Sequence, residues 1–232
     1  QAAQRLWLQL QDMAHKQRGG GFHIDWSFHL HAAKFDLGAP LAPSDPQPLQ
    51  LGGHTYGYQP FARDTICNEG RNWDAIQSLS SLAGSGLPAG GLALELIKAG
   101  YRRSLAASAA KSPLRGNQEF HPDWTFHQLA LKQRLGPPLS GNYRTADGRY
   151  IVQVFAGDTL YTTPAEIAGC RRLSETPESD PAYAPVWAEA YATFDHPDVC
   201  TVRPIDDGLW LLELFWGPTI AFKDGALQLD VR

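Results

Sequence analysis

Apolar residues in the first eighteen positions fall at Leu6, Trp7, Leu10 and Met13, the spacing of one helix face, and the run stops at Gly19-Gly20-Gly21, a flexible joint. The pattern then changes. Phe22-His23-Ile24-Asp25-Trp26-Ser27-Phe28-His29 leads through Ala32 and Lys34 to Leu37-Gly38-Ala39-Pro40-Leu41. It returns 98 positions later, without a gap, as Phe120-His121-Pro122-Asp123-Trp124-Thr125-Phe126-His127, running through Ala130 and Lys132 to Leu135-Gly136-Pro137-Pro138-Leu139. So many identities in so short a window indicate an internal duplication.

Each copy predicts the same elements. Asp25 or Ser27, and Asp123 or Thr125, can cap a helix that places Phe28, Ala32 and Phe35 on one side. Leu37-Gly38 and Leu135-Gly136, each followed by proline, predict a left-handed C-terminal stop. With four residues fewer in the second loop, Tyr56 to Ile66 then matches Tyr150 to Leu160, and Asp147-Gly148 with the alternation around Tyr150, Val152 and Val154 predicts a β-hairpin. Trp73, Ile76 and Leu79, against Ile167, Cys170 and Leu173, recur at steps of three and predict a closing helix.

The expected fold is therefore α+β: a tandem duplication of a helix–β-hairpin–helix unit plus a C-terminal β-meander. Residues 1–21 form an N-terminal helix and 22–83 the first unit. Residues 84–119 hold a Gly-rich linker and a connecting helix from Leu92 to Ala110, with Leu92, Leu96 and Tyr101 available for packing. Residues 120–174 form the second unit. Residues 175–232 hold an acidic loop, a short helix from Val186 to Phe194, and strand-like runs at Thr201–Asp206, Leu209–Phe215, Thr219–Phe222 and Ala226–Val231.

Composition narrows the function classes. With 43% hydrophobic and 19% charged residues the 232-residue chain is globular, and a net charge of −4 with no basic stripe argues against nucleic acid as partner. No apolar run approaches a membrane span, so membrane insertion is not expected. The chain begins at Gln1 without Met, from which a processed or trimmed N-terminus is expected. Cys67, Cys170 and Cys200 have no zinc-module or disulfide-framework spacing, and no cofactor motif is present, so no cofactor is expected. Seven Trp, eight Tyr and ten Phe supply both core and stacking faces.

Candidate chemistry divides by whether both copies keep it. His23, His29 and His31 with Asp25 are weak metal candidates, because only His121, Asp123 and His127 return. Features kept in both copies point to the fold, and positions where the copies differ point to function. Cys67 to Trp73 is one such stretch. Cys67 after a strand is a candidate nucleophile, with His54 or His29 as base and Asp64 or Asn72 as orienter. Asp64 and Asp158, each before Thr, read more simply as turn caps. Tyr56, Tyr58, Trp73 and Tyr161, near the hairpin exits, are the candidate ligand contacts.

Leu135-Gly136-Pro137-Pro138, then Asp147-Gly148, then Phe155-Ala156-Gly157-Asp158-Thr159-Leu160-Tyr161 and Pro164, resemble the LGFP repeat of secreted and cell-wall-associated bacterial proteins. The resemblance covers about forty residues of each copy, and the first copy departs from it at Arg63 and Cys67. It implies a non-catalytic, envelope-facing binding or attachment module for cell-wall glycan or peptide, secreted or in the cell envelope. Two other readings stand beside it: a hydrolase using Cys67, and a structural subunit of a larger assembly that binds protein partners or itself.

Overall fold

The computed structural model describes residues 2–44, 48–70, 72–84, 86–109, 115–193, 201–206 and 209–213. The protein is α+β, with helices and antiparallel sheets. Helix α1 (Ala2–Gln17) precedes a first unit made of α2 (Ser27–Lys34), strands β1 (Leu49–Leu51), β2 (His54–Pro60), β3 (Thr65–Glu69) and β4 (Gln77–Ser78), and the short helix α3 (Leu79–Ala83). Helix α4 (Gly91–Ala109) leads into a second unit of α5 (Thr125–Lys132), β5 (Tyr143–Arg144), β6 (Ile151–Val154), β7 (Thr159–Thr162), β8 (Arg171–Arg172) and a 3-10 turn at Leu173–Glu175. Helix α6 (Ala184–Tyr191) follows, then an antiparallel pair, β9 (Thr201–Asp206) and β10 (Leu209–Glu213). The meander strands expected at Thr219–Phe222 and Ala226–Val231 lie outside the described residues.

Each unit carries a four-stranded antiparallel sheet, in the orders β1-β2-β3-β4 and β5-β6-β7-β8. The expected hairpin is the middle of that sheet. The step-of-three pattern taken for a closing helix is instead a turn, a two-residue edge strand and one helical turn, because the chain first pairs Gln77 with Cys67, and Arg171 with Tyr161. Leu37-Gly38 and Leu135-Gly136 do end their helices, with φ of 76° at both glycines. The caps differ from expectation: Trp26 and Trp124 occupy the N-cap positions with no side-chain cap bond. Phe35 does not join the apolar side and is 55% exposed.

Equivalent residues build equivalent cores. Phe28, Ala32, Leu37, Phe61 and Ile66 pack together in the first unit, as Phe126, Ala130, Leu135, Phe155 and Leu160 do in the second. His29 accepts the His23 amide on Nδ1 at 3.0 Å, and His127 accepts the His121 amide at 3.0 Å, so each repeated histidine braces the turn into its helix. The preceding helix closes this Phe–His corner. His15 of α1 lies against Phe22 and His29, and Tyr101 of α4 lies against Phe120 and His127.

The opposite face of each sheet is covered by the helix that follows it. Tyr58, Cys67 and Leu79 pack toward α4, while Val152, Tyr161 and Leu173 pack against Val186, Trp187 and Ala190 of α6. Helix α4 thus serves both units, through Tyr58 Oη donating to the Leu96 carbonyl (3.2 Å), the buried Thr65–Ser104 hydroxyl pair (2.8 Å) and the Tyr101–His127 bond (2.9 Å). Gly100 permits this closeness, since a Cβ there would stand 2.7 Å from Leu79. Leu92, expected to pack, is exposed, and Leu94, Leu96, Ile97, Tyr101 and Leu105 carry the buried face. Among the described residues no helix is long and apolar enough to cross a membrane.

Candidate functional site

Strand alternation decides which side chains the first sheet offers to solvent. Gly57 pairs with Asn68 and Tyr58 with Cys67, so Tyr58 and Cys67 share the face under α4, while Gly57 and Asn68 share the other. On that second face the N-terminal turn of α2 rises beside a glycine floor. The result is a cleft of about 770 Å³, within the range of small-ligand sites. Asp25, Trp26, Ser27 and Phe28 at the start of α2 line it together with Thr55, Gly57 and Asn68 of the sheet, and with Ser44, Pro48, Gly70 and Trp73. Trp26 is 48% exposed and Trp73 is 52% exposed.

Both indoles are held in place. Trp26 stacks on His23 with ring centroids 4.0 Å apart, and Trp73 meets the edge of buried Phe28 at 6.3 Å. Asn68 is buried and donates from Nδ2 to the Gly70 carbonyl at 3.3 Å. Its Oδ1 stands over Gly57, 3.2 Å from where a Cβ would be.

The same positions in the second unit are filled differently. Ile151 replaces Gly57 and packs toward the core, Ile167 replaces Trp73, Thr162 replaces Asn68, and Arg149 replaces Thr55. Arg149 pairs with Asp147 at 2.5 Å.

Of the ligand candidates read from sequence, only Trp73 offers an open ring to the cleft. Tyr58 borders it but is 1% exposed, Tyr56 lies in the core, and Tyr161 is buried under Tyr150 and Tyr183. The catalytic candidates do not assemble. Cys67 is buried and desolvation pushes its thiol up to about 12, the reverse of an activated thiolate. His54 is exposed and bonded to Glu69 at 2.5 Å, while His29 braces the His23 turn. Asp64 accepts from the Thr65 amide (2.8 Å) and from Ser80, which is the work of a turn clasp, and burial raises its pKa. The histidines named as metal candidates do not form a ligand set: His29 Nδ1 is taken by the His23 amide, His23 stacks on Trp26 and His31 lies beside Phe35; among the described residues no group of three His, Cys, Asp or Glu converges.

Two threonine synthases match short stretches. The enzyme of Pseudomonas aeruginosa is 45% identical over 51 residues, 22% of this chain and 11% of the enzyme. That of Schizosaccharomyces pombe is 54% identical over 39 residues, 17% of this chain and 8% of the enzyme. The chain thus spans about a tenth of the length of these curated relatives. No family model matches the chain. No solved structure matches it either.

Proposed function

We propose that the protein is a non-catalytic binding module for cell-wall glycan or peptide, with its ligand held in the first-unit cleft. The observation that carries this reading is the pair of half-exposed indoles, Trp26 and Trp73, lining one cleft with Gly57. Large exposed aromatic faces in a concave, partly polar site are what flat sugar rings and extended peptides stack on. The buried, desolvated Cys67 supports binding over hydrolysis. The LGFP resemblance of the second unit points the same way, toward a position facing the envelope.

Calorimetric titration with peptidoglycan fragments and oligosaccharides tests it. Binding by the intact protein, weakened at least about tenfold in Trp73→Ala and lost in Gly57→Ile, is the expected result, since truncating a central aromatic removes on the order of 2 kcal/mol. Absence of heat with every fragment would end this reading.

A second reading rests on the threonine synthase matches: a segment of the chain serves within a protein of that kind. It predicts that the chain associates with a threonine synthase, and a purified chain that neither co-purifies with one nor changes its rate removes it.

A further inference from the structure

The cleft has a sign. Among the described residues that line it, Asp25 is the one charged side chain. The other polar groups that line the cleft include oxygen acceptors: the Ser27, Ser44 and Thr55 hydroxyls, and the Asn68 Oδ1 that stands over Gly57. Thr55 already donates to Gln50 Oε1 at 3.0 Å, which leaves its oxygen to accept. Where the second unit carries a cation, Arg149, the first carries this threonine. Two indole faces complete the set, and the quadrupole of an aromatic face attracts a cation. An acceptor-rich, aromatic-walled cavity with one carboxylate fits a ligand that brings both a flat apolar face and a positive N–H donor.

Resting on the binding-module reading, we infer that the preferred ligand is an oligosaccharide carrying free amino groups, a hexosamine chain without N-acetylation. The sugar face stacks on Trp73 and Trp26, and an ammonium meets Asp25. The volume of about 770 Å³ suits more than one sugar ring and exceeds what a single lysine side chain fills.

The test compares two probes of equal length, a glucosamine oligomer and its N-acetylated counterpart, titrated into wild type, Asp25→Asn and Trp73→Ala at one pH and low salt. The expected result is at least about tenfold tighter binding of the amino form by wild type, a preference lost in Asp25→Asn with little change for the acetylated form. Trp73→Ala weakens both. Equal affinity for the two probes, or a preference that survives Asp25→Asn, overturns the inference while the binding module stands. Binding of a lysine-containing peptide but of neither oligosaccharide also overturns it in favour of a peptide ligand. Silence from all three probes overturns both readings.

Discussion

The two units have the same strand order and matching inner cores, yet they treat one face of the sheet in opposite ways. In the second, Ile151 and Arg149 occupy the positions that Gly57 and Thr55 leave low in the first, and Ile167 stands where Trp73 does. A difference of a few side chains on an otherwise shared frame separates a filled face from a cleft. The repeated Phe, His and Leu-Gly stop belong to the frame; Asp25 and Trp26, though repeated as Asp123 and Trp124, line the cleft in the first unit, where the divergent Gly57, Thr55 and Trp73 open it.

The largest test of this comparison concerns the frame. Gly38 and Gly136 share a φ of 76°, but a Cβ on Gly136 would stand 2.2 Å from the Ala62 carbonyl oxygen of the other unit, whereas on Gly38 it would meet the Ala62 Cβ at 3.1 Å. Gly38→Ala is expected to cost about 1–2 kcal/mol from the left-handed backbone alone, and Gly136→Ala about 3 kcal/mol or more, because backbone must move and the units must part. Urea denaturation of both variants checks it. Equal losses would mean the units do not depend on that contact.

The repeated aspartates differ next. Asp158 is fully buried, bonded to Ser174 and paired with Arg172 at 2.7 Å; Asp64 has Ser80 but no arginine, since Ser78 stands at the equivalent place. Asp158→Asn is expected to destabilise by about 2–3 kcal/mol, below the full value for a buried pair because Arg172 is partly exposed. Asp64→Asn should be neutral or stabilising at pH 7. Burial raises the folded pKa of Asp64, so the stability tied to its neutral form is present below the unfolded value of 3.8 and lost as pH rises through the folded value. Chemical denaturation at pH 7 ranks the pair.

The histidine corners give a smaller, pH-dependent effect shared by both units. Burial holds His15 and His127 down to about 4, against an ordinary 6.5. A histidine depressed in the folded state stabilises it above the unfolded pKa and loses that contribution as pH falls. Each should therefore withdraw about 2 kcal/mol by pH 5, with the decline running from pH 6.5 toward 4. His127→Gln should flatten half of that slope, as read by melting temperature against pH.

Much of the frame was legible because two matching stretches compare two solutions to one packing problem. Phe28 with Phe126 and Leu37 with Leu135 share neighbours as well as spacing. The site was less so. Nearness to the hairpin exit points to Tyr56 and Tyr58, but alternation alone does not say which face lies under a helix; α4, whose Leu96 carbonyl accepts from Tyr58, decides that Tyr58 is inside. Trp26, which its repetition as Trp124 assigns to the fold, is half-exposed and lines the cleft, since the N-cap position sets it outside the first helical turn. Gly57 carries a signal of the same kind as Cys67 to Trp73, since the second copy sets Ile151 against it. The closing helix failed because a step of three over so few residues also fits a turn followed by an edge strand.

Cys67 offers the finest test, because its counterpart Tyr161 fills the same place in the second unit. The thiol sits beneath α4 among Tyr58 and Leu79, and desolvation opposes its ionisation. Alkylation of the folded protein at pH 8 should be slower than that of the partly exposed Cys170, and should become fast only on unfolding. Cys67→Ala should lower stability by about 1 kcal/mol, the loss of one small apolar group, and leave ligand affinity unchanged, because the residue faces away from Gly57 and Asn68. A Cys67→Ala variant that folds normally but no longer binds would show that the two faces of the sheet are coupled, and the separation of frame from site would have to be redrawn at the strand itself.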